Sequence, residues 1–309
     1  MPQWGVVMLI KNFRMREIRK LKELNIESGV LNTEALMLVL KRKSFPDKVV
    51  RVFKYLDAQE DPDVMAKKVY VVTTLNNNNP YKEIEELVIP DSIIYVDNLI
   101  AGFGVPLIEN HKNFGAIIQN PNISLKEKIP YLEQLGSLID KVQRVDVTKN
   151  RFQFGDLNEF NFIIDENDIV KAIDLDSAYL GVGEPLDMAY YLLRNDYITT
   201  FIKKYNSNKY KVTENGIIIP NDDTDLYCYN MIILKALSRE NIYKQDINTY
   251  YQYLEYLRLL GLPDNLIESF NNIYIPKENT NPKDILDQID PSIEEKLDFK
   301  EFKKVYNRD

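Results

Sequence analysis

Alternating apolar and polar residues divide much of the chain into short runs separated by turn residues, which is the pattern of β-hairpins. The first pair of runs covers residues 35–56, where ALMLVLKRK and VVRVFKYL flank the turn SFPDK. The second pair covers residues 86–110, with Asp97-Asn98 at its turn. The third covers residues 161–174, where NFII and IVKAID flank the polar turn DEND. The sequence therefore predicts three hairpins.

Apolar residues recur at helical spacing elsewhere in the chain. Residues 62–75 begin with Pro62, a residue that favours the start of a helix. Ser124 and Glu127 match a capping box, which opens a predicted amphipathic helix through Val142. Pro130 is expected to kink that helix or to delay its start. Residues 188–309 are expected to be largely helical, with their many tyrosines as half-buried helix contacts rather than a surface for stacking bases.

A basic stretch at residues 11–24 (KNFRMREIRKLKEL) also spaces its apolar residues as a helix would. It has two interpretations: an arm that binds anions, or the solvated face of an N-terminal helix. The second is favoured, because the apolar residues of the stretch need a core to cover.

Composition restricts the chemistry that is open to the chain. Its 309 residues, 45% of them hydrophobic, can form one large domain or two medium ones. A formal net charge of −8 argues against nucleic acid or an anionic membrane as the main partner. The single cysteine, Cys228, excludes an intrachain disulfide, and the single histidine, His111, excludes a multi-histidine metal site. Carboxylate side chains remain as the main candidates for a chemical site, and they suit Mg²⁺.

The chain also lacks the sequence signals of membrane insertion and secretion. No apolar run approaches the roughly 20 residues that span a bilayer. The opening MPQWGVVMLIK has no basic region before its short apolar run, so it does not match a secretory signal. The expectation is a cytoplasmic protein with no membrane partner.

The stretch FGDLNEFNFIIDENDIVKAIDLD, residues 154–176, spaces three polar side chains in a way that suits phosphoryl transfer. Asp156 is followed by Asn161, and Asp174 closes the third hairpin. That hairpin would hold Asn161 and Asp174 together at one end. Phosphoryl transfer needs a base that orients the acceptor hydroxyl, with an amide and a carboxylate that hold Mg²⁺ against the phosphates.

These residues resemble the catalytic core of the protein kinase superfamily, whose pattern is H-R-D-L-x-x-x-N followed by D-F-G. The sequence Gly155-Asp156-Leu157 is similar to the H-G-D form of aminoglycoside and choline phosphotransferases. The resemblance implies an α+β, two-lobed protein-kinase-like fold. Residues 1–108 would form a small β-rich N-terminal lobe and residues 109–309 a larger, mostly helical C-terminal lobe, with a catalytic loop at 154–161 and a metal-binding motif at 174–176.

The resemblance also implies roles for individual residues. Asp156 would be the catalytic base, and Asn161 and Asp174 the ligands of Mg²⁺. Lys54 ends a V-F-K strand that is similar to the V-A-I-K strand, whose lysine grips the phosphates of ATP. The hinge after the second hairpin would offer its backbone to adenine through four residues: Pro106, Leu107, Ile108 and Glu109.

Several positions depart from the family pattern. Phe154 replaces the usual histidine. Asp176 replaces the glycine of D-F-G, and is expected to add a metal ligand or to cap a turn. The helix over 62–75 contains no glutamate to pair with Lys54. Residues 28–33, where the family has a glycine-rich phosphate loop, contain a single glycine, Gly29.

The segment after Asp174 limits the acceptor. Asp187, which follows Gly183-Glu184-Pro185, would by resemblance brace the catalytic loop. The stretch between Asp174 and Asp187 is too short for the peptide platform of a protein kinase. The acceptor hydroxyl would therefore belong to a small molecule or to an atypical protein substrate.

The sequence thus favours an ATP- and Mg²⁺-dependent phosphotransferase that acts on a hydroxyl group. Three alternatives stay open: a pseudokinase that binds nucleotide or acts as a scaffold, a kinase-fold enzyme that transfers a nucleotidyl group, and a chance arrangement of surface carboxylates.

Overall fold

The computed structural model describes residues 9–18, 22–23, 35–42, 45–53, 62–77, 80–147, 151–183, 185–186, 191, 198, 209–238, 242–296 and 298–306. Within these residues the protein is a mixed α+β structure. Its strands belong to two sheets that precede a mostly helical C-terminal part.

The larger sheet has six strands in the spatial order β1-β5-β6-β4-β3-β2. Its neighbours are antiparallel, except that β1 runs parallel to β5. The strands are β1 (Leu9–Phe13), β2 (Lys22–Glu23), β3 (Ala35–Arg42), β4 (Phe45–Phe53), β5 (Ser92–Val96) and β6 (Leu99–Pro106).

Two of the predicted hairpins lie in this sheet and are confirmed. In the β5–β6 hairpin, Asp97 and Asn98 both adopt positive φ angles, 48° and 69°, as a two-residue turn that matches the strand twist requires. In the β3–β4 hairpin, Pro46 and Asp47 lie inside β4 rather than in the turn. The connection therefore falls earlier than the SFPDK pattern predicted.

The predicted helix over residues 11–24 is wrong. Leu9–Phe13 form strand β1, Met15–Ile18 form only one helical turn (α1), and Lys22–Glu23 form strand β2. All five residues of β1 pair in parallel register with β5, and the Phe13 side chain is buried. Pairing with a distant strand has overridden helical spacing, because a short helix in water gains little without packing.

Helix α2 (Pro62–Asn76) forms where it was predicted and packs one face on the large sheet. Met65 and Val72 of α2 contact Ile93 and Phe103 of the sheet in a small apolar cluster. The lysine between them on this face, Lys68, is also buried. The helix therefore carries a charged group into the interior.

Helix α4 (Leu125–Gln143) begins at the predicted capping box. The Ser124 side chain accepts from the Glu127 amide, and the Glu127 carboxylate accepts from the Ser124 amide. Pro130 lies within the helix and does not delay its start, because proline in the early turns of a helix is tolerated better than in its interior. The predicted apolar face is buried in the main core.

A second sheet has the order β7-β8-β9, and its strands β8 and β9 form the third predicted hairpin. Its strands are β7 (Lys112–Asn113), β8 (Phe162–Ile164) and β9 (Val170–Ala172), and helix α3 (Phe114–Gln119) follows β7. The connection into β5 joins this sheet, because the Ala172 amide donates to the Glu86 carbonyl and the Val88 amide to the Ala172 carbonyl.

The described C-terminal part is largely helical, as predicted. It contains α5 (Asp222–Ser238), α6 (Ile247–Leu259), α7 (Asp264–Asn271) and α8 (Phe299–Tyr306). Short 3₁₀ turns in the described chain span Pro80–Glu83, Glu159–Asn161, Leu175–Ser177, Ile242–Lys244, Asn272–Tyr274, Lys283–Gln288 and Pro291–Glu295.

Tyrosines pack between these helices rather than forming a surface for bases. Four of them, Tyr227, Tyr229, Tyr250 and Tyr253, are buried on α5 and α6. Tyr229 also donates from its hydroxyl to the Leu132 carbonyl at 2.7 Å, which links α5 to α4. In the described part of the chain, no helix has the length and apolar character that crossing a membrane requires.

Candidate functional site

The β8–β9 hairpin places Asn161 and Asp174 at the same end. Phe162 pairs with Ala172, and one step beyond the strands the Ile173 amide donates to the Asn161 carbonyl at 2.9 Å. Asn161 immediately precedes β8, and Asp174 follows Ile173. The two side chains are therefore fixed by the strand register.

Asp156 joins this end of the hairpin through the loop that precedes it. Gln153 and Tyr179 exchange both of their backbone hydrogen bonds, at 2.8 and 2.9 Å. On the other side, the hydrogen bond from the Ile173 amide to the Asn161 carbonyl connects the same two segments. The segments 154–160 and 174–178 are thus fastened to each other at both ends, and they face one another with Asp156 on one and Asp174 on the other.

Two amides hold the Asp156 carboxylate. Asn158 Nδ2 donates to Asp156 Oδ2 at 2.9 Å. Asn161 Nδ2 donates to the Asp156 carbonyl at 2.8 Å and approaches Oδ2 at 3.4 Å. Because the nitrogen of the Asn161 amide faces Asp156, its Oδ1 is turned away from Asp156. The Asp156 carboxylate is partly exposed and held in one orientation.

The donor set of Asn161 and Asp174 fits a small hard cation. An amide oxygen and a carboxylate are ligands that Mg²⁺ accepts, and this ion usually takes few protein ligands beside phosphate oxygens and water. Among the described residues, no group of three or more histidine, cysteine, aspartate or glutamate side chains could hold a metal by itself. The arrangement suits a Mg²⁺ ion that arrives with a phosphorylated ligand.

Gly155 allows the two facing segments to approach closely. Its φ angle is +72°, and a Cβ atom at this position would lie 2.8 Å from the Ser177 carbonyl oxygen. Backbone at that distance cannot move aside cheaply. A side chain at position 155 would therefore push Asp156 away from the segment that carries Asp174.

We expect Gly155→Ala to destabilise the protein by about 1–3 kcal/mol from backbone strain alone, with a further loss from the contact with Ser177. Gly216→Ala is the matched control, since Gly216 has φ +82° but no atom within 4 Å of the place that a methyl group would take. Chemical denaturation of both variants measures the difference. Equal losses would show that the close contact at Gly155 costs nothing.

Phe154 occupies the position of the usual histidine and is a core residue. Its ring lies 5.1 Å from that of Phe152 and 5.8 Å from that of Phe162, measured between centroids. Its amide donates to Asp225 Oδ2 at 3.2 Å. Burial raises the pKa of the Asp225 carboxyl well above its usual range, although the Phe154 amide opposes this shift. Helix α5 thus contacts the loop directly, through the hydrogen bond between the Phe154 amide and Asp225.

Glu159 forms a second support for the same loop. Its carboxylate is 1% exposed and forms an ion pair with Lys235 of α5. It also accepts from Gln119 Nε2 of α3 at 2.6 Å and from the Tyr191 hydroxyl. Since Glu159 lies between Asp156 and Asn161 in the chain, this network connects the candidate site to the helical core.

Lys68 supplies a contact from α2 that sequence reasoning missed. Its Nζ lies 3.0 Å from Asp176 Oδ2 and donates to Ser177 Oγ at 2.8 Å. The expectation for Asp176 was a metal ligand or a turn cap, and the structure places its Oδ2 in a buried ion pair with Lys68. The available signal was the position of Lys68 between Met65 and Val72, on the apolar face of the helix.

The predicted hinge borders a cavity of about 500 Å³. Leu107, Ile108 and Glu109 line one side, and the turn of the β8–β9 hairpin lines the other. His111 Nδ1 donates to the Ile108 carbonyl at 2.7 Å and helps to hold the hinge. Pro106, the first predicted hinge residue, is the last residue of β6 and pairs with Lys48.

Three expectations lie outside the described residues: Lys54 as the phosphate-binding lysine, the segment 28–33 with Gly29 as the phosphate loop, and Asp187 as the brace of the catalytic loop. Among described residues, Asp225 and Glu159 support that loop. Neither was singled out from the sequence, since Asp225 is one of three aspartates in DDTD and nothing local distinguishes it.

No protein-family model matches the chain, and no curated protein matches it. Function is therefore inferred from the chemistry of the site itself.

Proposed function

We propose that the protein is an ATP- and Mg²⁺-dependent phosphotransferase with a two-lobed, protein-kinase-like fold, which transfers the γ-phosphoryl group to a hydroxyl of a protein or small molecule. The large sheet with α2 would form the smaller lobe, and the second sheet with α3 to α8 the larger one. The proposal rests on residue chemistry together with the resemblance of residues 154–176 to the kinase superfamily.

One observation carries the proposal: a base candidate, an amide and a carboxylate meet at one end of a hairpin. Asn161 donates to Asp156 and is paired through its backbone with the residue before Asp174. A stable core does not require that the loop before this hairpin and the turn after it bring these polar side chains together. Phosphoryl transfer requires such convergence, because catalysis comes mainly from positioning and charge stabilisation.

The cavity at the hinge supports a nucleotide as the ligand. It opens at the turn end of the hairpin, and Asn161 and Asp174 lie at the other end. Asp165 lies four residue steps along the strand from Asn161, which is roughly 13 Å at the usual rise per residue. That separation is comparable to an extended nucleoside triphosphate, whose base would lie at the hinge and whose phosphates would reach the site.

Each residue then has a defined task. The Asp156 carboxylate accepts the proton of the acceptor hydroxyl, and Asn158 and Asn161 hold it in one orientation. Asn161 Oδ1 and the Asp174 carboxylate would hold Mg²⁺, which neutralises charge on the phosphate oxygens when bound. The predicted role of Lys54 is to contact the phosphates from the sheet side.

Incubation with ATP and Mg²⁺, without an added acceptor, tests the proposal. Label on the γ-phosphate distinguishes autophosphorylation and hydrolysis, and label on the α-phosphate detects nucleotidyl transfer. The proposal requires transfer or hydrolysis of the γ-phosphate that stops in EDTA. Attachment of the α-label would instead assign nucleotidyl transfer, and no turnover of either label would overturn enzymatic activity.

We expect ATP to bind at least about tenfold more tightly with Mg²⁺ than with EDTA, which is about 1.4 kcal/mol. The physical reason is that Asn161 and Asp174 offer oxygens to a cation rather than donors to phosphate. Titration calorimetry under both conditions measures the difference. Asp264→Asn, at the exposed start of α7, is the matched control and should keep the full Mg²⁺ effect.

A nucleotide-binding or scaffolding pseudokinase is the second candidate, and the composition of α2 favours it. Residues 62–76 contain no glutamate that could pair with the strand lysine. Tight ATP binding that is equal with and without Mg²⁺, together with no turnover, would select this candidate.

A further inference from the structure

Lys68 connects the centre of α2 to the turn that follows Asp174. Its ammonium group contacts Asp176 Oδ2 at 3.0 Å and Ser177 Oγ at 2.8 Å. Lys68 is 4% exposed and Asp176 is 1% exposed. A buried ion pair adds little net stability, because both charges have lost their hydration, but removal of one partner leaves the other charge uncompensated in the interior.

We propose that Lys68 is a positioning residue for the candidate metal site: it holds the turn Leu175–Ser177, and through it the Asp174 carboxylate, in the conformation that receives Mg²⁺. The identity of the ion rests on the proposed function. The geometry behind the proposal does not, since it concerns α2 and the turn alone.

The backbone of Asp174 is held on both sides. Asp174 has φ 64° and ψ 40°, in the left-handed region, which aspartate adopts more readily than most residues but still at some cost in free energy. Contacts on either side of the turn stabilise this conformation. Ile173 is fastened to Asn161 on one side, and Lys68 fastens residues 176 and 177 on the other.

Charge gives a second reason. Asp176 lies two residues after Asp174, so two carboxylates share one short turn. The Lys68 cation neutralises Asp176 and directs it towards α2. Asp174 is thereby kept as the carboxylate of this turn that serves the metal, and the position of α2 is coupled to the shape of the site.

Four variants test this inference. Lys68→Met removes the anchor, Lys68→Arg keeps the charge, and Lys68→Met/Asp176→Asn removes both charges so that no buried carboxylate is left uncompensated. Lys67→Met, at the exposed neighbouring position on α2, is the matched control. Circular dichroism first establishes that each variant is folded. If Lys68→Met does not fold, the double variant carries the test.

Titration calorimetry with the non-hydrolysable analogue AMP-PNP is the first measurement. We expect Lys68→Met and the double variant to weaken binding in Mg²⁺ by roughly 10- to 100-fold, the usual effect of losing a residue that orients a ligand. Binding in EDTA should change little. Lys68→Arg should retain most of the Mg²⁺ effect, and Lys67→Met all of it.

Hydrogen exchange of the protein without nucleotide is the second measurement. The amides of Ile173, Ala178 and Tyr179 are hydrogen-bonded around the turn. They should exchange about tenfold faster when Lys68 is lost and remain unchanged in Lys67→Met. This readout depends on the anchor and not on any ligand.

The outcomes separate the two proposals. If the wild type gains no affinity from Mg²⁺ but the amides around Asp174 exchange faster in the double variant, the proposed function fails and the anchor stands. If the wild type gains affinity and the double variant binds equally well or more tightly, with unchanged exchange, Lys68 does not position the turn.

Discussion

Replacing Asp156 with asparagine should reduce phosphoryl transfer by on the order of 10²–10⁴ while leaving ATP affinity nearly unchanged. The loss corresponds to roughly 3–5 kcal/mol of transition-state stabilisation. Asparagine keeps an oxygen for the contact from Asn158, so the loop should retain its shape. What is lost is the ability to accept the proton of the acceptor hydroxyl. Turnover and calorimetric affinity are measured on the same preparation.

Asp174→Ala is the informative partner in that experiment. It should lose both Mg²⁺-dependent ATP binding and turnover, because its carboxylate acts through the cation. Asp264→Asn again serves as the exposed control. Near-normal transfer by Asp156→Asn would remove Asp156 from the role of base. Loss of ATP affinity equal to that of Asp174→Ala would place it beside the metal instead.

Replacing Glu159 with alanine should cost about 3–5 kcal/mol of stability, the penalty for breaking a buried ion pair by removal of one partner. Lys235 would be left with its charge in the interior, and Gln119 and Tyr191 would each lose an acceptor. The free energy of unfolding in urea measures this loss. The loop between Asp156 and Asn161 should also loosen.

A double-mutant cycle with Lys235→Met isolates the pair. The double variant should lose less stability than the sum of the two single variants, because neither charge is then left uncompensated. Lys112→Met is the comparison, since Lys112 pairs with Asp168 on the surface and its loss should hardly matter. Additive losses at Glu159 and Lys235 would mean that the pair contributes nothing beyond packing.

Local patterns predicted the parts of the molecule that local physics determines. The turn at Asp97-Asn98 could be predicted because few residues accept a left-handed backbone. Helix α4 could be placed because its capping box is a contact between residues three apart. The hairpin that positions Asn161 and Asp174 followed from period-two alternation on either side of a polar turn.

The remaining features depend on partners that are distant in the chain. Strand β1 was predicted as a helix because its partner, β5, lies far along the sequence and leaves no trace in the local pattern. The position of Lys68 on an apolar helix face indicates that it is buried, but its partner Asp176 lies 108 positions later and cannot be read from the local pattern. Asp225 likewise acquires its role only when α5 meets Phe154.

The parallel pairing of β1 with β5 also bears on how the chain assembles as it is synthesised. Strand β1 is synthesised before β5, and β3, β4 and α2 lie between them in the chain. The apolar edge of β5 is therefore unpaired until β1 pairs with it. Long-range parallel pairing is slow to form. Pairing of β1 with β5 thus covers an apolar sheet edge that could otherwise join edge to edge with another copy of the chain.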